Sequence, residues 1–200
     1  DVDRFIYNAD VRNAVREELD LKDCFVIGAV ARISAQKNQL FMLDILQKVL
    51  LHEDRVVLVL VGGYAHTEEG VQYYHQVLDK VATMHLEKKV KILGTRDDAN
   101  RLYQAFDVAL IPSKYEGLCI AAIEAQAAGL PCVVSDALPD EARVSADYTT
   151  VTLTAKAEEW AEVVLQTRNV KRLNMKKDVE NAGYTMKQEV HSLEKIYCDL

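Results

Sequence analysis

The sequence predicts an α/β fold, a doubly wound parallel sheet with extra helices at its C-terminal end. Three observations carry this. Short apolar runs alternate with stretches of helical period along most of the chain. The runs are continuously apolar, Val56–Val61 most clearly, as strands covered on both faces are. Turn residues stand where runs and helices stop: Gly62-Gly63, Gly94, Pro112 and Gly129.

Phe25–Ile33 (FVIGAVARI) reads as a buried first strand. Gln39–Leu51 has Leu40, Leu43, Ile45, Leu46, Val49 and Leu50 on one helix face. Val56–Val61 is the second strand and Glu69–Met84 the next helix. Val90–Leu93 is a short strand stopped by Gly94. Asp97–Gln104 reads as a short helix, with Asp97-Asp98 capping it and complementing its dipole. Val108–Ile111 is a strand closed by Pro112. Ile120–Ala128 is an Ala-rich helix with Gly129 at its end and Pro131 just beyond. Cys132–Ser135 and Thr150–Leu153 are two further strands. The remainder reads as helices over Ala157–Gln166, Val170–Asn181 and Met186–Tyr197, with a break at Gly183. Strand–helix units of this length imply right-handed crossovers. Such a sheet binds ligands outside the carboxyl ends of its strands. A site is therefore expected in the loops after Ile33, Val61, Leu93 and Ile111.

Composition narrows the function classes. The 200 residues are 50% apolar, enough for one core without staples. A net charge of -7 argues against a nucleic-acid-binding face, which needs a basic surplus. The apolar runs are too short to span a bilayer. The polar, acidic start reads as no signal peptide, and Asp1 in place of Met suggests a piece of a longer protein. Cys24, Cys119, Cys132 and Cys198 form no CxxC pair and no cluster with ligand spacing, so they read as buried reduced thiols.

The loops carry the candidate chemistry. Arg32 and Lys37 flank Ser34-Ala35-Gln36 after the first strand. Two cations at the mouth of a parallel sheet suit an anion, most simply a pair of phosphates. Two solvated loop charges are the plain alternative. Gly62-Gly63 allows a ligand close to the backbone, or simply ends a strand. The chain holds neither GxGxxG nor GxxxxGK[ST]. His66 reads as a solvated loop histidine, with a ligand or base as the alternative, and His52, His75 and His85 receive no role.

The segment Pro112–Asp136 (PSKYEGLCIAAIEAQAAGLPCVVSD) is the richest. Glu116 precedes a helix and Glu124 lies inside it; eight steps are a little over two turns, so both can face one side. Gly117 and the next N–H groups form a helix start, a ready anion site. A carboxylate, free N–H donors and a second carboxylate could hold a diphosphate between two sets of sugar hydroxyls. The alternative is an acid complementing the helix dipole plus a buried, satisfied Glu.

The Glu116–Glu124 spacing resembles the E-x7-E motif of the retaining glycosyltransferases of family 4, enzymes of the two-domain GT-B fold. Asp1-Val2-Asp3-Arg4-Phe5 resembles the end of the family's "NG(I/V)D…F" interdomain segment. Gly28–Lys37 resembles its "G…GR…K" stretch, Leu60-Val61-Gly62 its "LVG", and Ile92-Leu93-Gly94 its "F.G" strand. Asn38-Gln39, the run EAQAAGLPCVVSD and EEWAE at Glu158–Glu162 are similar to bacterial capsular and exopolysaccharide transferases.

The resemblance implies a C-terminal, donor-binding half. Residues 1–20 would be the interdomain segment and its helix, residues 21–185 a Rossmann-like nucleotide-sugar-binding domain, and residues 186–200 a helix crossing back to the N-terminal domain of the same protein. Carried over, Arg32 and Lys37 would hold the diphosphate, joined by N–H groups of Gly117, Leu118, Cys119 and Ile120. Glu116 would bind hydroxyls of the transferred sugar and share the catalytic role with Arg32 and Lys37. Glu124 would bind the ribose, and the backbone at Thr95 and Arg96 would border the base. Three positions depart from the pattern without losing a charge: Ala31 and Asn38 stand where Gly is common, and Cys119 occupies a variable site.

The implied reaction moves a sugar, with retention, from a nucleotide-diphosphate sugar, expected to be a UDP-sugar, to a glycan or lipid-linked acceptor. It passes through an oxocarbenium-like state as the diphosphate leaves. Arg32, Lys37 and the helix N–H groups meet the growing negative charge. The attack implied is front-face, with the leaving phosphate helping to take the acceptor's proton. No cofactor and no metal are implied. The acceptor would bind mainly on the N-terminal half. The expected location is cytoplasmic, with a peripheral place on the inner face of the membrane as an alternative for the full-length protein. The basic stretch Lys171–Lys177 reads as a solvated helix face, with a membrane-facing patch as the alternative. Two other readings remain. A GT-B sugar-nucleotide epimerase lacks this E-x7-E arrangement. A receiver-type signalling domain needs an acidic cluster where this chain has Arg32.

Overall fold

The computed structural model describes residues 1–185 and Val190. Six parallel strands form one sheet: β1 (Phe25–Val30), β2 (Val56–Val61), β3 (Val90–Ile92), β4 (Val108–Ile111), β5 (Cys132–Ser135) and β6 (Tyr148–Val151). Their order is β3-β2-β1-β4-β5-β6. Strand order reverses between β1 and β4, which opens a crevice at their carboxyl ends. Helices α1 (Ala9–Glu18), α2 (Gln39–Val49), α3 (Glu68–Thr83), α4 (Ala99–Ala105), α5 (Ile120–Ala127), α6 (Ala157–Gln166) and α7 (Lys176–Asn181) flank the sheet. In the receiver-type order, β1 lies between β2 and β3. Here it lies between β2 and β4, so that reading is set aside.

The alternation of side chains along each strand explains the continuous apolar runs. Phe25, Ile27 and Ala29 of β1 pack with Val56, Leu58 and Leu60 of β2 beneath α2, α3 and α6, around Leu46, Val77 and Trp160. Val26 of β1 and Val57, Val59 and Val61 of β2 face the other way, toward α1, α4 and α5, around Val15, Phe106 and Ala122. Gly28 is the gap in this second face. A Cβ there would come within 2.0 Å of the Phe106 ring, which is fully buried.

An arginine cluster fastens the first and last segments to α4. Asp107 takes Arg12 and Arg16, each at 2.5 Å, on separate carboxylate oxygens. Arg12, Arg16 and Arg172 also donate to the carbonyls of residues 103–106, the C-terminal end of α4. Cations at that end complement the unpaired carbonyls and the helix dipole. Burial, helped by Arg12, lowers the Arg172 pKa to about 9.

Several boundaries differ from expectation. β1 ends at Val30; Ile33 forms an isolated bridge with Tyr64 instead. α4 starts at Ala99, and Asp98 receives Arg96 and Arg101 rather than capping the helix. β6 is Tyr148–Val151, not Thr150–Leu153: Tyr148 fills the core while Thr149 and Thr150 are exposed at the sheet edge. α7 starts at Lys176, not Val170. The preceding residues are irregular, and Arg172 is turned inward onto α4. The stretch Lys171–Lys177 is thus not one solvated helix face: Arg172 lies in the arginine cluster and Lys176 pairs with Asp3 at 2.5 Å. Cys119 and Cys132 are buried free thiols, while Cys24 is half-buried. Cys198 and the expected helix Met186–Tyr197 lie outside the described residues, Val190 apart.

Candidate functional site

Two loops meet at the β1–β4 crevice. Gln36 Nε2 donates to the Tyr115 carbonyl at 2.8 Å, and Asn38 Nδ2 to the Pro112 carbonyl at 3.1 Å. The Lys114 N–H returns a bond to the Gln36 carbonyl at 2.8 Å. Gln39, 1% exposed, braces the first loop from within: its amide donates to the Arg32 carbonyl and accepts from the Ser34 N–H. The helices behind both loops begin after left-handed residues, Asn38 (φ 62°) before α2 and Cys119 (φ 52°) before α5. Asn tolerates that conformation, which is why it can stand where Gly is common. Gly62 closes the end of β2 against the same loop; a Cβ there would meet the Ala31 carbonyl oxygen at 2.2 Å.

Lys37 and Glu116 are the charges these loops bring together. Lys37 Nζ lies 2.5 Å from Glu116 Oε1, and the Glu116 side chain is only 6% exposed. Arg32 is exposed and makes no ion pair among the described residues. Beside Glu116, Gly117 is exposed, with nothing within 4 Å of where a Cβ would sit. No side-chain hydrogen bond caps α5; the Ala122 N–H bonds back to the Cys119 carbonyl at 2.9 Å, and the N–H groups before it stand at the positions a helix start usually leaves without an intrahelical partner.

The eight-residue spacing does not put the two carboxylates on one helix face. α5 begins only at Ile120, so Glu116 sits in the loop and turns to Lys37. Glu124 turns to α4, where Tyr103 Oη donates to Glu124 Oε2 at 3.2 Å. Burial raises the Glu124 pKa, against the lowering effect of the Tyr103 hydrogen bond. Cys119 feels both carboxylates: burial, then the charge of Glu116, pushes its thiol up to about 11, with Lys37 opposing and Glu124 adding. A thiol held there is protonated and a poor nucleophile.

A cavity opens at the carboxyl ends of β2 and β3. It is lined by Gly62, Gly63, Tyr64, His66, Tyr74 and Thr95, among others. Tyr64 and Tyr74 stack at 4.2 Å, and His66 meets Tyr64 edge-on at 5.3 Å. Thr95 lines this cavity; the Arg96 guanidinium is held by Asp98 in a two-pronged contact at 2.8 Å. Sequence reasoning missed Tyr64, Tyr74, Gln39 and Tyr103. An aromatic directly after a glycine pair, another within the next helix, or a Gln at a helix start carries no signal until its partner is in place. No described helix is long and apolar enough to cross a membrane.

A family model for the group 1 glycosyl transferases matches residues 24–169. EpsF of Bacillus subtilis, named as a glycosyltransferase, is 31% identical over 179 residues, 88% of this chain and 45% of EpsF. A UDP-Gal:alpha-D-GlcNAc-diphosphoundecaprenol alpha-1,3-galactosyltransferase of Escherichia coli is 26% identical over 90% of this chain and 46% of that enzyme. The chain thus spans about half the length of the relatives it matches. Among solved structures, Anabaena Alr3699/HepE in complex with UDP and glucose superposes with a TM-score of 0.85 at 19% identity, over 100% of this chain and 55% of that one. At that identity the likeness bears on the fold alone.

Proposed function

The chain belongs to the group 1 glycosyl transferases, and from that premise we propose that it is the donor-binding half of a retaining enzyme. In this reading it takes a nucleotide-diphosphate sugar, a UDP-sugar in particular, and the whole protein passes the sugar to a glycan or lipid-linked acceptor in polysaccharide synthesis, at the cytoplasmic side of the membrane. The observation that carries the reading is the meeting of Lys37 and Glu116 across the strand-order reversal, beside open space at Gly117 and the uncapped start of α5. An anion and a polyol each find a partner there.

The roles follow from charge. Arg32 and Lys37 bind the diphosphate with the N–H groups of Gly117, Leu118, Cys119 and Ile120. They stabilise the charge that grows on it as the glycosidic bond breaks. Glu116 accepts hydrogen bonds from the sugar hydroxyls, Glu124 from the ribose. The base lies against the backbone at Thr95 and Arg96, in the cavity walled by Tyr64 and Tyr74. These cations do the work a divalent metal does elsewhere. The names of two comparison proteins support the donor class: one includes UDP-Gal, and the other was solved with UDP.

Calorimetry of the chain with UDP tests this. We expect saturable binding and no sugar transfer by these 200 residues alone. Absence of binding to UDP, GDP and ADP alike would overturn the donor-site reading, and turnover by this chain alone would overturn the division into halves.

A further inference from the structure

Tyr103 sits on α4, behind the helix that carries Glu124, and is 1% exposed. Its hydroxyl has two acceptors, Glu124 Oε2 at 3.2 Å and the Ala121 carbonyl at 3.1 Å. Its ring is held between Phe5 and Phe106, each with its ring centre at 6.0 Å. A phenol wedged this way cannot redirect its hydroxyl without opening a void. Phenylalanine would fill nearly the same space, so the packing alone does not call for the oxygen. Burial, then the charge of Glu124, raises the Tyr103 pKa well above its usual value, so the hydroxyl keeps its proton for donation.

Glu124 needs such a donor. It is half-buried, and burial favours its neutral form. The titratable groups that face it are Tyr103 from α4, the amino group of Asp1 from the first segment and the Cys119 thiol at the start of α5; the Asp1 side chain and Tyr184 line the same cavity. Of these, Tyr103 alone makes a hydrogen bond with its carboxylate among the described residues. We propose that Tyr103 is a positioning residue for nucleotide binding: its hydroxyl fixes the Glu124 carboxylate in the orientation that accepts hydrogen bonds from the ribose. The proposal rests on the assignment of Glu124 to the ribose. It also ties the first segment to the donor site, because Phe5 packs on the ring that aims the carboxylate.

UDP affinity measured on Tyr103→Phe, Glu124→Ala and the double variant tests it. We expect Tyr103→Phe to weaken UDP about tenfold, the scale of one hydrogen bond to a charged group. In the Glu124→Ala background the same change should have no further effect, because the oriented group is gone. The gap between wild type and Tyr103→Phe should widen as pH falls, the ligand's own phosphate titration being common to both. Wild-type affinity in Tyr103→Phe, or an equal loss in both backgrounds, would overturn the proposal and leave Tyr103 a packing residue bonded to Ala121. If Glu124→Ala itself binds UDP normally, the ribose assignment fails, and that result is distinct. Should Tyr103→Phe not fold, Glu124→Asp keeps the charge but draws it away from the hydroxyl. A loss close to that of Glu124→Ala supports the proposal, and unchanged affinity overturns it.

Discussion

Lys37 and Glu116 are 79 residues apart in sequence and 2.5 Å apart in space, across the crevice between β1 and β4. The cation proposed for the diphosphate and the carboxylate proposed for the sugar therefore hold each other. A diphosphate must compete with Glu116 for Lys37. Glu116→Ala should accordingly leave UDP affinity unchanged or raise it by up to about tenfold, since it frees Lys37 and removes a nearby negative charge. In the full-length protein the same change should lower kcat strongly, because the lost contact matters most as positive charge develops on the sugar. Loss of UDP binding in Glu116→Ala would reverse the roles of the two glutamates.

Arg32 and Lys37 should not contribute equally. Arg32 is exposed and unpaired among the described residues, while Lys37 is paired with Glu116 and would have to give up that partner to bind phosphate. Removing one member of a close charge contact costs about 2–5 kcal/mol, and a partly exposed loop lies at the low end. We expect about 2 kcal/mol of UDP affinity lost in Arg32→Ala and a smaller loss in Lys37→Ala. Equal affinities for both variants and the wild type would return these residues to ordinary solvated charges.

The central strands were legible because both sheet faces are covered: β2 coincides with the run read from its sequence, Val56–Val61. β6 was misplaced by two residues because it lies at the edge, where exposed Thr149 and Thr150 break the apolar run. The loops proposed to bear the site stand out in the sequence because strand ends in a parallel sheet are where ligands collect. The pairings within them were not. Tyr103 reads as one more apolar residue of a helix, and only the packing of α4 against α5 turns its hydroxyl to Glu124. Residues 170–175 were read as helix because Lys and Arg suit an exposed helix face, yet Arg172 is drawn inward by the carbonyls ending α4.

UDP binding should be indifferent to divalent metal. Arg32, Lys37 and the start of α5 supply positive potential without one. Titrations in excess chelator and in excess magnesium should give the same Kd. A large loss on chelation would mean that carboxylates at the site hold a cation.

Among the described residues Asp107 is the only carboxylate paired with Arg12 and Arg16 in the cluster that fastens α1 to α4, and it also accepts the Val26 N–H at 2.7 Å. Asp107→Ala strands two cations with little exposure and one strand N–H. Breaking a pair of this kind costs about 3–5 kcal/mol, and the residual exposure of 21% favours the lower figure. Urea denaturation should show a loss of about 3 kcal/mol. A loss below about 1 kcal/mol would mean that the arginines are satisfied by the α4 carbonyls alone.

Glu124 should make the chain's stability depend on pH in a defined direction. Burial raises its pKa in the folded state above the ordinary value of 4.5. The folded chain then binds a proton at pH values where the unfolded chain has lost it. That contribution to stability is complete below the unfolded pKa and disappears as pH rises through the folded one. Above this window the folded state carries a desolvated carboxylate held by one Tyr103 hydroxyl. Glu124→Gln keeps an acceptor for that hydroxyl and removes the charge. Melting temperatures taken without nucleotide, from about pH 4 to about pH 8, should therefore diverge. The Gln variant should match the wild type at the acid end and exceed it increasingly toward neutrality. The same variant should bind UDP less well at neutral pH, since a neutral amide is a weaker acceptor for the ribose than a carboxylate. Stability gained and affinity lost in one substitution is the pattern of a group kept for binding at a cost to the fold. A difference in melting temperature that stays flat across pH would show that Glu124 is solvated enough to ionise freely.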